Sequence, residues 1–181
     1  AGFRDKFKEQ IIKADVLTVS GSVPKGVSHD IYRELITIAV RNGKKVILDS
    51  SGELLECGMQ GIPTMIKPNI VEIRMMTGKR CDNISEFLEA AETVRQTGIQ
   101  YVVISLGGDG AIMVCQEGRY QAVVPKIKAV NTVGCGDSMV AGLALGLERG
   151  CPADELLRYA SSISAAAAMN QGTGYYEPEN R

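Results

Sequence analysis

Short apolar runs recur along this chain, and segments whose apolar residues return at helical spacing lie between most of them. The runs at 16–20, 45–48, 64–67 and 101–106 have the length of buried strands. Helical spacing marks 31–41, where Asn42-Gly43 stops the pattern, and a stretch from Asn69 to about 76 that Asn69 is able to cap. A short helix carrying Leu54 and Leu55 follows Gly52, and Ser85 opens another to residue 95. Strands alternating with helices imply a mostly parallel sheet covered on both faces and entered by right-handed crossovers. The predicted class is therefore α/β, a three-layer α/β/α arrangement in one domain spanning 1–181. Runs at 111–115 and 120–124 bracket Gln116-Glu117-Gly118 as a hairpin. Two helices close the chain, at 137–149 and 152–170, the second rich in alanine and suited to close packing. The opening segment 2–13 is also helical, with Phe3, Phe7, Ile11 and Ile12 on one face. It has no strand to cross over from, so an upstream segment is expected.

Composition removes several classes of function. Net charge is −1, without the basic excess of a nucleic-acid binder. No apolar run is long enough to span a bilayer, and no signal-peptide pattern opens the chain. No nucleic-acid or membrane partner is expected. Five cysteines without CxxC spacing argue against a disulfide framework or zinc site and for a reducing compartment, so the expected location is cytoplasmic. The one histidine, His29, stands in a polar stretch before a helix and reads as an exposed cap-region residue.

Chemistry concentrates in three segments. In Asn131 to Gly142, small residues stand where a loop meets a helix. Free backbone N–H groups and the positive end of the helix dipole converge there, forming an anion site. Gly134 and Gly136 let the main chain approach a phosphate. Asp137 either caps the helix or acts as a general base toward a hydroxyl nucleophile. The segment is not GxGxxG, since Met139 holds the third glycine position, and no P-loop occurs. The second segment, Ser105-Leu106-Gly107-Gly108-Asp109-Gly110, is either a tight turn or a ligand loop. In the third, Lys67-Pro68-Asn69-Ile70-Val71-Glu72, Asn69 and Glu72 share a helix face. They suit a hydrated Mg²⁺ or form a capping box. Lys67 meets a phosphate or is simply solvated.

Together and in this order the segments resemble the PfkB (ribokinase-like) family of carbohydrate kinases, over nearly the whole chain. The resemblance implies a ribokinase-like fold lacking its N-terminal portion and β-lid. It implies ATP and Mg²⁺ as cofactors, with Asp137 as the catalytic base and the N–H groups of Gly134, Cys135 and Gly136 as an anion hole. Asn69 and Glu72 would govern the metal. Ser105, Gly107, Gly108 and Gly110 would contact the nucleotide, Lys67 the transferring phosphate, and Asn170, more loosely, the adenine site. Segments 21–26, 49–53 and 67–69 look like the branch that phosphorylates sugar phosphates, and 132–142 leans toward 1-phosphofructokinase. The expected acceptor is fructose 1-phosphate, with tagatose 6-phosphate as runner-up. A non-catalytic ATP-binding domain on the same fold is the alternative; Asp137, Glu72 and Asn69 together weigh against it. The family's lid implies a homodimer of the parent enzyme, and these 181 residues alone are expected to turn over poorly. Cys135 stands where the family more often has alanine or serine. A thiol at a helix N-terminus is expected to have a lowered pKa and to oxidise readily.

Overall fold

A computed structural model describes residues 2–174. Six strands form one sheet in sequential order: β1 (Val16–Ser20), β2 (Lys45–Asp49), β3 (Met65–Ile66), β4 (Tyr101–Ser105), β5 (Ala111–Cys115) and β6 (Gly118–Ala122). The first four run parallel, and β5 and β6 add an antiparallel hairpin. Helices α1 (Phe3–Ile11), α2 (Asp30–Arg41), α3 (Gly52–Met59), α4 (Ile70–Thr77) and α5 (Ile84–Arg95) cover one face. Helices α6 (Cys135–Arg149) and α7 (Ala153–Ala168) cover the other.

The strand period of two sorts the core. Val46, Leu48, Val102, Ile104, Ile112 and Val114 point toward α2, α3, α4 and α5. Their neighbours Ile47, Val103, Ala111 and Met113 point toward α6 and α7. Because β1 to β4 pair in chain order, crossovers of one hand place every intervening helix on the same side. The opposite face is left to the two closing helices.

Element boundaries differ from the sequence expectation where a local hydrogen bond decides them. The 85–95 helix begins one residue earlier, at Ile84, because the Asn83 side chain accepts the Glu86 N–H at 3.1 Å. β3 is shorter than 64–67, since the Thr64 hydroxyl takes the Val46 N–H at 3.0 Å in place of a ladder carbonyl. Cys115 pairs directly with Gly118, so β6 starts two residues before the expected 120–124 run and Val123 leaves the sheet. α6 starts at Cys135, since Gly134 caps it in the left-handed conformation, φ 81°. His29 is exposed at the cap of α2, with Nδ1 2.6 Å from Glu53 Oε2.

The alanine-rich α7 packs closely on α6, as its composition implies. A Cβ on Gly142 would lie 2.8 Å from the Ala160 Cα, and one on Gly146 would lie 2.4 Å from Leu156 Cδ1. Gly142→Val should therefore force the helices apart, costing about 1–3 kcal/mol by overpacking and lowering Tm by roughly 2–12 °C in a domain of this size. Ala141→Val, on the exposed side of α6, is the control and should cost about 0.5 kcal/mol by helix propensity. Equal melting temperatures for the two variants, read by circular dichroism, would refute the close approach.

Candidate active site

The parallel strands end on one edge of the sheet, and the three chemistry-bearing segments meet there. β2 ends at Asp49, and Lys67 follows β3 one step past the Leu48–Ile66 register pair. The two side chains form an ion pair, Nζ to Oδ1 3.0 Å, with Lys67 only 6% exposed. Lys67 is thus a buried cation, not a solvated lysine. Burial pushes the Asp49 carboxyl above its ordinary value, the Lys67 ammonium partly offsets this, and the nearby Asp137 adds to it. A Cβ on Gly136 would lie 3.7 Å from Lys67 Nζ, so the ammonium rests against the start of α6. A helix N-terminus is itself electropositive. Two positive features therefore converge on one point, with Asp49 as the balancing charge.

Adjacent main-chain contacts join the other segments to this point. Ser105 N–H donates to the Pro68 carbonyl at 3.1 Å, and Asn69 bridges to Ser105 in parallel fashion. Beyond Ser105 the chain makes one 3₁₀ turn at Gly107–Asp109. Gly110, at φ 94°, has no room for a side chain: a Cβ would sit 2.0 Å from the Ala122 carbonyl oxygen. Gly107 and Gly108 are exposed with open space around them. The glycine loop is both a packed turn and an accessible surface. A cavity of about 560 Å³ lies over it, lined by Ser105, Gly107, Gly108 and Gly110 on one side and Thr132, Cys135, Gly136 and Met139 on the other.

The start of α6 refines the expected anion hole. The Cys135 N–H is already engaged by the Thr132 carbonyl at 3.3 Å. Among the described residues the N–H groups of Gly134, Gly136 and Asp137 have no backbone acceptor. The expectation of a lowered Cys135 thiol pKa is corrected: burial raises it, and Sγ lies 3.8 Å from the Asn131 carbonyl, to which it donates. Desolvation outweighs the helix terminus at this position. Asp137 is not the cap, a place Gly134 takes. Its carboxylate is exposed in the first turn, and among the described residues it makes no hydrogen bond or ion pair.

Asn69 and Glu72 form a reciprocal capping box. Asn69 Oδ1 accepts from Val71 N–H at 2.8 Å and Glu72 N–H at 2.9 Å, and Glu72 Oε2 accepts from Asn69 N–H at 2.8 Å. The box leaves Glu72 Oε1 uncommitted. A hard carboxylate oxygen of this kind, with water completing the shell, fits Mg²⁺, which keeps much of its hydration. Asn69 is then a positioning group rather than a free amide ligand. Asn170 stands outside the cavity lining, as do Lys67, Asn69, Glu72, Gly134 and Asp137; its amide donates to the Ala166 carbonyl at 3.0 Å at the end of α7. Two contributing residues lay outside the sequence candidates. Asp49 could be found only from strand pairing, and Ser164, which donates to the Cys135 carbonyl at 3.0 Å, only from the packing of α7 on α6.

A mixed sheet between two helical layers, with a glycine-lined cavity at its carboxyl edge, defines a ribokinase-like α/β protein. The sequence matches the pfkB family carbohydrate kinase description over residues 3–180, and the chain belongs to that family. It is similar to phosphofructokinase-2 of Escherichia coli solved with potassium: 33% identity, TM-score 0.89, covering 97% of this chain and 60% of that one. The same enzyme solved with fructose-6-phosphate matches at 32% identity and TM-score 0.84, covering 93% of this chain and 58% of that one. Arabidopsis thaliana ribokinase, solved with ribose and ATP, shares the fold at 22% identity and TM-score 0.78, over 93% of this chain and 54% of that one. The chain thus spans about three fifths of the length of the phosphofructokinase-2 structures it matches.

The Lys67–Asp49 pair generates a stability test. Asp49→Asn leaves a buried ammonium facing the positive end of α6 and should destabilise by about 3 kcal/mol. Replacing both partners, Lys67→Met with Asp49→Leu, should recover most of that loss. Urea midpoints read both effects; a single variant as stable as the parent would contradict the pairing argument.

Proposed function

We propose that the full chain transfers the γ-phosphoryl group of ATP to a hydroxyl of a ketohexose monophosphate, with Mg²⁺ bound. The observation that carries this is the uncommitted Asp137 carboxylate in the first turn of α6, one residue from the glycine against which the Lys67 ammonium rests. A base needs a free carboxylate within reach of the acceptor hydroxyl. A moving phosphoryl group needs positive charge and open amides at the same place.

In this reading the acceptor oxygen attacks the γ-phosphorus, the bond to the β–γ bridging oxygen breaks, and ADP leaves with that oxygen. Asp137 takes the hydroxyl proton. Lys67 and the amides at Gly136 and Asp137 hold the charge on the transferring group, beside Gly134. Ser105, Gly107, Gly108 and Gly110 cradle the nucleotide phosphates. Glu72, oriented by Asn69, would hold Mg²⁺. When bound, the ion would supply positive charge to the nucleotide phosphates. The likeness to E. coli phosphofructokinase-2, solved with fructose-6-phosphate, favours that sugar phosphate as the first acceptor to test. The 132–142 segment keeps fructose 1-phosphate beside it, and tagatose 6-phosphate comes third.

Asp137→Asn, made in the full natural chain, should lower kcat by about 10²–10⁴-fold and leave the KM for ATP nearly unchanged. A coupled ADP-release assay across the three sugar phosphates reads both the base and the acceptor. Near-parental turnover in this variant would remove Asp137 from the mechanism.

A further inference from the structure

Helix α7 carries three hydroxyls near the cavity, and two of them are accounted for. Ser162 donates to the Tyr159 carbonyl at 2.8 Å, the backward bond a helical serine ordinarily makes. Ser164 donates to the Cys135 carbonyl at 3.0 Å. Ser161 is different. It is 3% exposed, and its hydroxyl has no hydrogen-bond partner, the only buried side-chain oxygen or nitrogen in that state among the described residues. A buried orphan hydroxyl is unfavourable, and in a native structure it calls for an explanation.

Ser161 lines the 560 Å³ cavity together with the glycine loops. Val124, Pro125, Ile127 and Ala165 give the same cavity an apolar lining. Ala168, whose carbonyl accepts from the Val130 and Asn131 N–H groups ahead of the anion loop, lies seven residues further along α7. That spacing is about 10 Å along the axis. A neighbouring cavity of about 480 Å³ also touches Ser161, but the phosphate-cradling glycines do not line it.

Resting on the nucleotide-site reading above, we infer that Ser161 is a specificity-determining residue that hydrogen-bonds the edge of the nucleobase, with its hydroxyl left unpartnered until the base arrives. A hydroxyl both donates and accepts, so it can meet a ring nitrogen or an exocyclic amine. Nucleotide binding then supplies the partner that the protein lacks.

The test is Ser161→Ala in the full natural chain, by calorimetric titration with Mg-ATP and, separately, with magnesium tripolyphosphate, which has no base. The unliganded variant should melt at or above the parental temperature, because an orphaned polar group has been removed. Its Kd for ATP should rise about 3–10-fold, the loss of one hydrogen bond, while its Kd for tripolyphosphate stays within twofold of the parent. If ATP and tripolyphosphate weaken equally, Ser161 acts through the fold and the inference is overturned. If ATP binding is unchanged while the parent binds both ligands, the inference alone fails. A parent chain that binds neither ligand overturns the nucleotide-site reading and this inference with it.

Discussion

A buried ammonium held against the positive end of a helix is the constraint around which this site is organised. Lys67 lies in that position, 6% exposed, with Asp49 at 3.0 Å as its counter-charge. Without an anion nearby the arrangement is electrostatically unfavourable, because helix dipole and ammonium repel. Asp49 relieves part of that repulsion at the expense of its own desolvation, which is why its carboxyl titrates above the ordinary value. The remaining positive potential faces the cavity side of Gly136. A Cβ there would lie at ordinary contact distance from the ammonium, 3.7 Å. One balance of charges thus accounts for a lysine and an aspartate drawn from two segments of the chain.

Much of this was legible from residue order alone, and the reasons are physical. Apolar runs bounded by turn residues located β2, β4 and β5, since strands buried on both faces must be apolar throughout, and the run at 16–20 located β1, a partly exposed strand at the sheet edge. The glycines at 134 and 136 marked the start of α6 because few other residues bring bare amides to a surface. What remained hidden depends on pairing and packing. The partnership of Asp49 with Lys67 follows from the β2–β3 register. The burial that raises the Cys135 thiol pKa comes from its surroundings in the fold, and helix-terminus reasoning pointed the opposite way. The choice at Asn69 and Glu72 between cap and metal ligand had no sequence answer, since both uses ask for the same residues at the same spacing. The structure shows the capping box formed, with one glutamate oxygen left over.

The two helices on the far face also decide how rigid the cavity is. Gly142 brings α6 against the Ala160 backbone of α7 and Gly146 against the Leu156 side chain, which fixes the α6 axis within about three turns of Asp137. At the chemical end, Ser164 ties α7 to the Cys135 carbonyl, and the Val130 and Asn131 N–H groups both reach the Ala168 carbonyl. The loop before α6 is therefore anchored to α7 ahead of its turn, and its first helical residue is held as well. The opposite wall is built differently. Gly107 and Gly108 have open space around them, and only Gly110 is wedged, under the Ala122 carbonyl. In the proposed reaction the wall that presents amides to developing charge is the one braced by a packed helix, and preorganisation is what makes such donors effective. The proposed polyphosphate wall consists of exposed glycines pinned at one end, where small backbone adjustments cost little.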